Sequence, residues 1–374
     1  MTTASSLSCR CACKIRGATV PLKHLKITDF RCLNDAELEP GAGNNLIVGA
    51  NASGKTSILE AIAYLGRGRS FRGASTASLI RHGSAAFLLV GKVMQGARAR
   101  TLGVRNSRLG LEVHIDGEQE SGAAGLAEAL PLQIVDPEIH KLVAGGPEER
   151  RRFMDWIAFH VEHAYLETWR RFRRALKQRN AALREGASAA EMAGWDKEFC
   201  LAGIEVDAAR ERVVARAARA LRATGEAVLG GSVGFEYRRG WVADRPLEEA
   251  LSAGLERDRQ QGSTQNGPQR ADLKLIHDER QARKLVSRGQ QKLLAGSMVL
   301  AAAETVQEAL GRPMLLLLDD PAAELDEESL GRLMRAVKSL GCQVIATALE
   351  PDRRLFADSP ALFHVEQGRL QRRG

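Results

Sequence analysis

The residues with the clearest chemistry stand together at positions 49–56, Gly49-Ala50-Asn51-Ala52-Ser53-Gly54-Lys55-Thr56. Gly49 and Gly54 permit a tight turn and close backbone approach, so that successive N–H groups and a helix N-terminus can surround phosphate oxygens. Lys55 has the reach for the β- and γ-phosphates of a nucleoside triphosphate, and Thr56 offers a hydroxyl to Mg²⁺. Such a loop works only between a buried strand and a helix, and both are legible: Asn44-Asn45-Leu46-Ile47-Val48 reads as the strand, Ser57–Tyr64 as the helix. The plain alternative, a Gly-rich turn with an incidental lysine, requires neither flanking element. The pattern therefore implies a nucleoside triphosphate site.

A second constellation lies far along the chain. Pro313–Leu318 is an apolar run ending in Asp319-Asp320. Carboxylates at the C-terminal end of a buried parallel strand sit where α/β folds place their ligands. Asp319 is the natural Mg²⁺ ligand, and Asp320 is placed to orient or deprotonate an attacking water. Alone, paired acids here could merely cap the next helix; together with the phosphate loop they complete a hydrolytic site. Lys55 and Asp319 have 263 residues between them (positions 56 to 318). A large insertion must therefore interrupt the nucleotide-binding unit.

The elements that fill the gap are partly readable. From about Pro147 to Thr224 the chain is rich in Ala, Arg and Glu with helical periodicity, which predicts three or four helices forming an arm; the heptads are too short for a long coiled coil. Within it, Arg170–Arg179 holds six basic residues and no acid, either a solvated helix face or a phosphate-contacting surface. Val233–Tyr237 reads as a strand, Pro246–Arg259 as a helix, and Ser263–Leu273 as a turn entering another strand. Ser287 then caps a helix that continues through Glu304, and Arg288, Gly289 and Gln290 open it, making a second anion-seeking helix end. Two such ends in one chain suggest a nucleotide held between two copies.

Composition bounds these readings. The chain has 374 residues, 54 Lys+Arg against 46 Asp+Glu, and a net charge of +8. Arginine supplies 42 of the 54 cations, which favours a phosphate-bearing partner because guanidinium pairs bidentately with phosphate. No uninterrupted apolar run approaches the length of a membrane span. Six cysteines are too few for a disulfide framework and fit a reducing cytosol, so a cytoplasmic location is expected. Cys9, Cys11 and Cys13 lack the spacing of a zinc site, and residues 1–20 are expected to be a disordered extension. Cys200 and Cys342 are expected in the core.

Ser287-Arg288-Gly289-Gln290-Gln291-Lys292, about 30 residues before the Leu-rich strand and Asp319-Asp320, resembles the signature motif of ABC-type ATPases, and Asp320–Asp326 resembles their D-loop. With Leu25–Leu33, Gly49–Phe71, Gly145–Asp155 and Gly267–Leu273, the set resembles the RecF family from about residue 21 to Asp326. The resemblance implies an α/β fold, an ABC-type P-loop ATPase head with an inserted α-helical arm subdomain. Residues 21–140 would form one half of the head, 141–228 the arm, and 229–374 the second half. It also implies that Gly49 to Thr56 bind ATP, that Thr56 and Asp319 serve Mg²⁺, and that Asp320 is the catalytic acid. Gln133 is similar to the Q-loop glutamine, Arg31 to a phosphate-contacting arginine, and Asp326 to the D-loop aspartate. Head-to-head dimerisation driven by ATP would set the phosphate loop of one copy against Ser287, Arg288 and Gly289 of the other.

The implied function is ATP-dependent binding of double-stranded and gapped DNA in recombinational repair, by a weak DNA-stimulated ATPase working with RecR and RecO to load RecA. Aromatic residues make up 5% and are mostly not interleaved with basic runs, which argues against a single-strand stacking platform. A transporter ATPase would lack an arm inside the head, and a nuclease would need a further metal domain. The alternative that shares most features is an SMC-like chromosome-maintenance head, for which the gap between motifs is too short. Departures from the family pattern are Ala52 in the loop, Gln269 and Ala323 in the later motifs, and Thr347 where a switch histidine is usual.

Overall fold

The computed structural model describes residues 21–282, 287–356 and 358–373. The expected N-terminal extension with Cys9, Cys11 and Cys13, and the approach to the signature helix at Leu285-Val286, lie outside them.

A six-stranded sheet carries the site. Its order is Arg369–Arg373, Ala361–Glu366, Asn44–Val48, Gln343–Ala348, Leu315–Leu318, Leu132–Val135, parallel except at the first pair. Strands covered on both faces should be continuously apolar rather than alternating. Leu315–Leu318 is four leucines, all buried, between parallel neighbours. Strands from the two ends of the sequence thus meet in one sheet: Asn44–Val48 lies beside Gln343–Ala348, and Leu315–Leu318 follows next. This topology closes the sequence gap between the two motifs.

A second, antiparallel sheet is built from Leu22–Phe30, Leu33–Leu38, Ala86–Gln95, Arg98–Ser107, Gly110–Ile115 and Glu118–Glu120. The helix Lys55–Arg67 lies between the two sheets, and its residues Ile58 to Gly66 are buried without a break. A helix that is buried on every side needs no amphipathic stripe. One core therefore fixes the loop helix against both sheets.

The arm consists of the helices Pro147–Val161, Tyr165–Arg184 and Ala189–Leu229, the last 41 residues long and opened by a Ser188–Glu191 capping box. Arg150, Arg179 and Arg210 of these helices are buried, and two of them tie the arm together. Arg179 is fully buried; its Nε donates to Asp196 (2.6 Å), and its Nη1 donates to Asp258 (2.7 Å) and Thr264 Oγ1 (2.8 Å). Arg210 donates to Asp155 Oδ1 (2.7 Å) and to the Pro268 carbonyl (2.7 Å).

Packing continues across the boundary expected at 228. Val233, Leu247, Leu251, Leu273 and Leu275 share one core with Phe172 and Phe199 of the arm helices. The small sheet Val233–Arg238, Asp272–His277 and Arg280–Gln281 therefore belongs with the helical lobe rather than with the head. The helix Arg288–Leu310 joins the lobes: Leu294, Met298 and Val306 face the arm's core, while Leu293, Val299 and Leu300 join the core beneath the parallel sheet. Among the described helices it alone is long and apolar enough to cross a membrane, and 78% of that stretch is buried inside the protein. Cys200 and Cys342 are buried, as expected.

Candidate nucleotide site

The phosphate loop follows its strand without a spare atom. A Cβ at Gly49 would lie 2.3 Å from the Val365 carbonyl oxygen and 2.8 Å from Ser53 Oγ, so only glycine fits. Gly54 takes φ 117° and opens the helix at Lys55. Ala52 sits at φ 61°, a left-handed geometry that costs a non-glycine residue about 1 kcal/mol. The small side chain is tolerated there, and the turn still closes, with Ser53 N–H donating to the Ala50 carbonyl.

The Lys55 ammonium donates to the carbonyls of Gly49 (2.6 Å) and Ala50 (2.9 Å), folding back over the loop. Burial lowers its pKa, opposed by Asp320 and Asp319. Ser53 Oγ is buried and unpartnered in the same loop. A cation held between carbonyls, an unsatisfied hydroxyl and a wall that excludes any Cβ fit the phosphates of a nucleoside triphosphate.

Across the sheet, Thr56 Oγ1 donates to Asp319 Oδ1 (3.0 Å), which joins the two motifs directly. The Thr347 hydroxyl also donates to Asp319 Oδ1 (2.9 Å), and the Asp320 N–H donates to the same hydroxyl (2.9 Å). Thr347 thus fixes both acids from the neighbouring strand. A hydroxyl oxygen and a carboxylate converging in this way fit a Mg²⁺ ion, with Thr56 and Asp319 as the residues that would hold it. Asp320 adopts φ 48°, an uncommon conformation for a non-glycine residue. Its pKa is raised by burial and by Asp319, against the pull of Lys55 and Lys292.

One neighbouring acid escaped sequence reasoning. Val135 pairs with Leu318, so Asp136 stands level with Asp319 at the end of the adjacent strand, and the two line one small cavity with Asp320 and Lys292. Burial raises the Asp136 pKa, with a further push from Asp319. The signal was present: Leu132-Gln133-Ile134-Val135-Asp136-Pro137 repeats the pattern of an apolar strand ending in an acid.

Other expected residues lie around this centre in distinct environments. Gln133 is in the middle of its strand, where its side-chain oxygen accepts from Arg67 Nη2 (3.3 Å); the strand end belongs to Asp136. Arg31 is held by the buried Glu60, donating from Nε (2.8 Å) and Nη2 (3.0 Å). Asp326 caps the helix Glu327–Leu340, accepting from Ser329 N–H and Oγ (both 2.8 Å). Ser287 caps the signature helix: Gln290 N–H donates to Ser287 Oγ (3.3 Å), and Ser287 N–H donates to Gln290 Oε1 (2.9 Å). Ser287 and Arg288 are exposed, and the nearest atom to a Cβ at Gly289 would be 3.9 Å away. Lys292 pairs with Glu324 (2.8 Å), tying this helix to the loop that follows Asp320.

The basic run of the arm divides. Arg179 is internal, and Arg171 pairs with Glu198 (3.0 Å). Arg170, Arg173, Arg174 and Lys177 are exposed, with the Arg173 guanidinium over Trp169 (5.4 Å).

A parallel sheet with a phosphate loop, a facing aspartate pair, a capped signature helix and an inserted lobe defines an ABC-type ATPase head. The family described as the RecF/RecN/SMC N terminal domain matches residues 21–371. The DNA replication and repair protein RecF of Azotobacter vinelandii is 43% identical over 361 residues, covering 93% of this chain and 98% of that one. RecF of Chromohalobacter salexigens is 42% identical over 359 residues, covering 94% and 99%. Among solved structures, the recombination mediator protein RecF-ATP of the RecFOR pathway superposes with a TM-score of 0.86 at 23% identity, covering 96% of this chain and 100% of that one. The Smc head domain of Pyrococcus furiosus, bound to the C-terminal domain of ScpA, reaches 0.59 at 16% identity, covering 94% and 96%. The chain belongs to the RecF family of ABC-type ATPases.

Proposed function

We propose that the protein is an ATP-switched dimer that binds double-stranded and gapped DNA during recombinational repair in the cytoplasm, and that with RecR and RecO it directs RecA loading. The observation that carries this reading is the pairing, in one chain, of a phosphate loop and aspartate pair with an exposed signature helix end. Lys55, Thr56 and Asp319 are gathered at one place, whereas Ser287 and Arg288 are exposed, Arg288 beside Glu324 (3.5 Å). A second copy supplies what each half lacks.

Bound Mg-ATP supplies a polarised γ-phosphate. The loop N–H groups and Lys55 would hold the phosphates, Thr56 and Asp319 would hold the metal, and Asp320 is placed to take up the proton of an attacking water. Lys55 must release the Gly49 and Ala50 carbonyls to do so. Nucleotide favours the closed dimer by its differential affinity, and hydrolysis withdraws that preference. The names of the relatives, DNA replication and repair proteins, and the net +8 charge support DNA as the partner. The arm packs as a compact lobe on the signature helix, unlike the long coiled coil of a chromosome-organising head.

Fluorescence anisotropy with a gapped duplex, with and without Mg-ATP, tests this. Binding should be ATP-dependent, weaken steeply with salt, and be lost in Lys55→Met. ATP-independent binding that Lys55→Met retains would contradict it.

A further inference from the structure

The loop from Pro321 to Asp326 carries the chain from the aspartate pair into the helix Glu327–Leu340. It is a strained stretch: Asp320 just before it and Glu324 within it both take positive φ, 48° and 67°. Non-glycine residues in that region persist only where the surroundings hold them. Three ties do so. The Asp320 N–H donates to Thr347 at one end, and Lys292 pairs with Glu324 in the middle. The third tie, at Asp326, leads out to the arm.

Asp326 is exposed, and its carboxylate accepts from the buried Ser329. The Ser329 hydroxyl, donating to Asp326 Oδ2 (2.8 Å), in turn accepts from Arg332 Nη2 (3.1 Å). Donation runs one way along this chain, guanidinium to hydroxyl to carboxylate, so each bond polarises the next. The same guanidinium donates through Nε to the Val228 carbonyl (2.9 Å). Val228 lies in the last turn of the arm helix Ala189–Leu229, and the final carbonyls of a helix have no partner within it and attract a cation. The contact is firmly seated: Val228 is fully buried in one core with Leu330 and Leu333, which flank Arg332 on its own helix. The pair of Arg332 with Glu328 (2.7 Å) adds little, because the Glu328 side chain is largely in solvent.

We infer that Arg332 is a positioning residue for ATP hydrolysis, fixing the loop that follows Asp320 against the end of the arm's long helix. It acts through Ser329 and Asp326 rather than on the nucleotide. A shift of the arm helix at Val228 is passed to the loop along the same bonds. The planar guanidinium suits this task, because Nε and Nη2 hold two different elements at once, which a single ammonium does not do in the same geometry. The inference rests on the reading of Asp320 as the acid that takes the proton of water.

The test is steady-state phosphate release against Mg-ATP concentration, on the full chain and on Arg332→Gln, Ser329→Ala, the double variant and Asp320→Asn. Arg332→Gln should lower kcat about tenfold and leave KM for ATP within about twofold, because Lys55, Thr56 and Asp319 keep their contacts. Ser329→Ala breaks the chain at its middle while sparing the Val228 contact, and should lower kcat to a similar extent. The double variant should be no slower than either single one, since both cut the same chain. A residue that only stabilises the fold would lower the denaturation midpoint and leave kcat unchanged at a temperature where the chain is folded. A wild-type kcat in Arg332→Gln, a KM that rises as kcat falls, or single losses that multiply in the double variant would overturn the inference. If Arg332→Gln does not fold, Ser329→Ala decides by the same kcat and KM criteria. Asp320→Asn keeps the underlying reading separate. Wild-type hydrolysis in that variant defeats the reading of Asp320, whereas an inactive Asp320→Asn beside a wild-type Arg332→Gln defeats only the inference about Arg332.

Discussion

Asp319 is the residue on which the site turns, because Thr56 and Thr347 both donate to one of its oxygens. Thr347 also accepts from the Asp320 N–H, so its hydroxyl holds the two acids in register. Thr347→Val should therefore destabilise the protein by about 1–3 kcal/mol, as a chemical-denaturation midpoint shows, and slow ATP hydrolysis; Thr347→Ser should restore both. Asp320→Asn should lower the hydrolysis rate by about 10²–10⁴-fold with ATP binding retained, measured by phosphate release beside nucleotide titration. Burial and Asp319 raise the pKa of Asp320 from its ordinary 3.8. Since only the ionised form accepts a proton, the rate should fall with decreasing pH around a midpoint above that value. The phosphate loop, Asp319 and Asp320 were legible because each side chain stands beside its motif partners in an obligatory local geometry. Asp136 and the bridging role of Thr347 were not, because strand register across the sheet, invisible in a single sequence, brings them together.

At the level of elements, the arm is stapled by buried charge. Arg179 joins three helices through Asp196, Asp258 and, just beyond the third, Thr264, and Asp258 is itself fully buried. Arg179→Met should cost about 3–5 kcal/mol in a denaturant titration, because it leaves Asp258 uncompensated; adding Asp258→Leu should recover part of the loss. The basic run suggested one continuous surface, yet its last arginine is structural. Charge run and helical period were readable, but the acids that would bury one of its members lay 17 and 79 residues away. For the same reason the seat of the small sheet was not legible: from 233 onward it shows strand patterns like any other, and only packing brings it onto the helical lobe. His160 ends the first arm helix, buried against Trp156 and Phe159, with its pKa lowered to about 3 by burial and by Arg312 and Arg67. The unfolded chain takes up a proton near the ordinary 6.5 and the folded one does not. This contribution is whole above pH 6.5 and is lost as pH falls toward 3, by at most about 4 kcal/mol. His160→Leu should flatten thermal stability against pH across that window.

At the level of the whole molecule, the helix Arg288–Leu310 is the part common to both lobes, buried between the arm's core and the core beneath the parallel sheet. Its N-terminus ends exposed at Ser287, and Lys292 ties it to Glu324 in the loop after Asp320. Contact with a second copy at this end would therefore be felt at Asp320 and in the arm alike. The most direct test of the account is analytical ultracentrifugation with Mg²⁺, with and without ATP, of wild type, Lys55→Met and Ser287→Arg. Wild type should sediment as a monomer without ATP and a dimer with it, and both variants should remain monomeric, Ser287→Arg while still binding ATP. A wild-type chain that stays monomeric at saturating ATP, with or without duplex DNA, would contradict the sandwich.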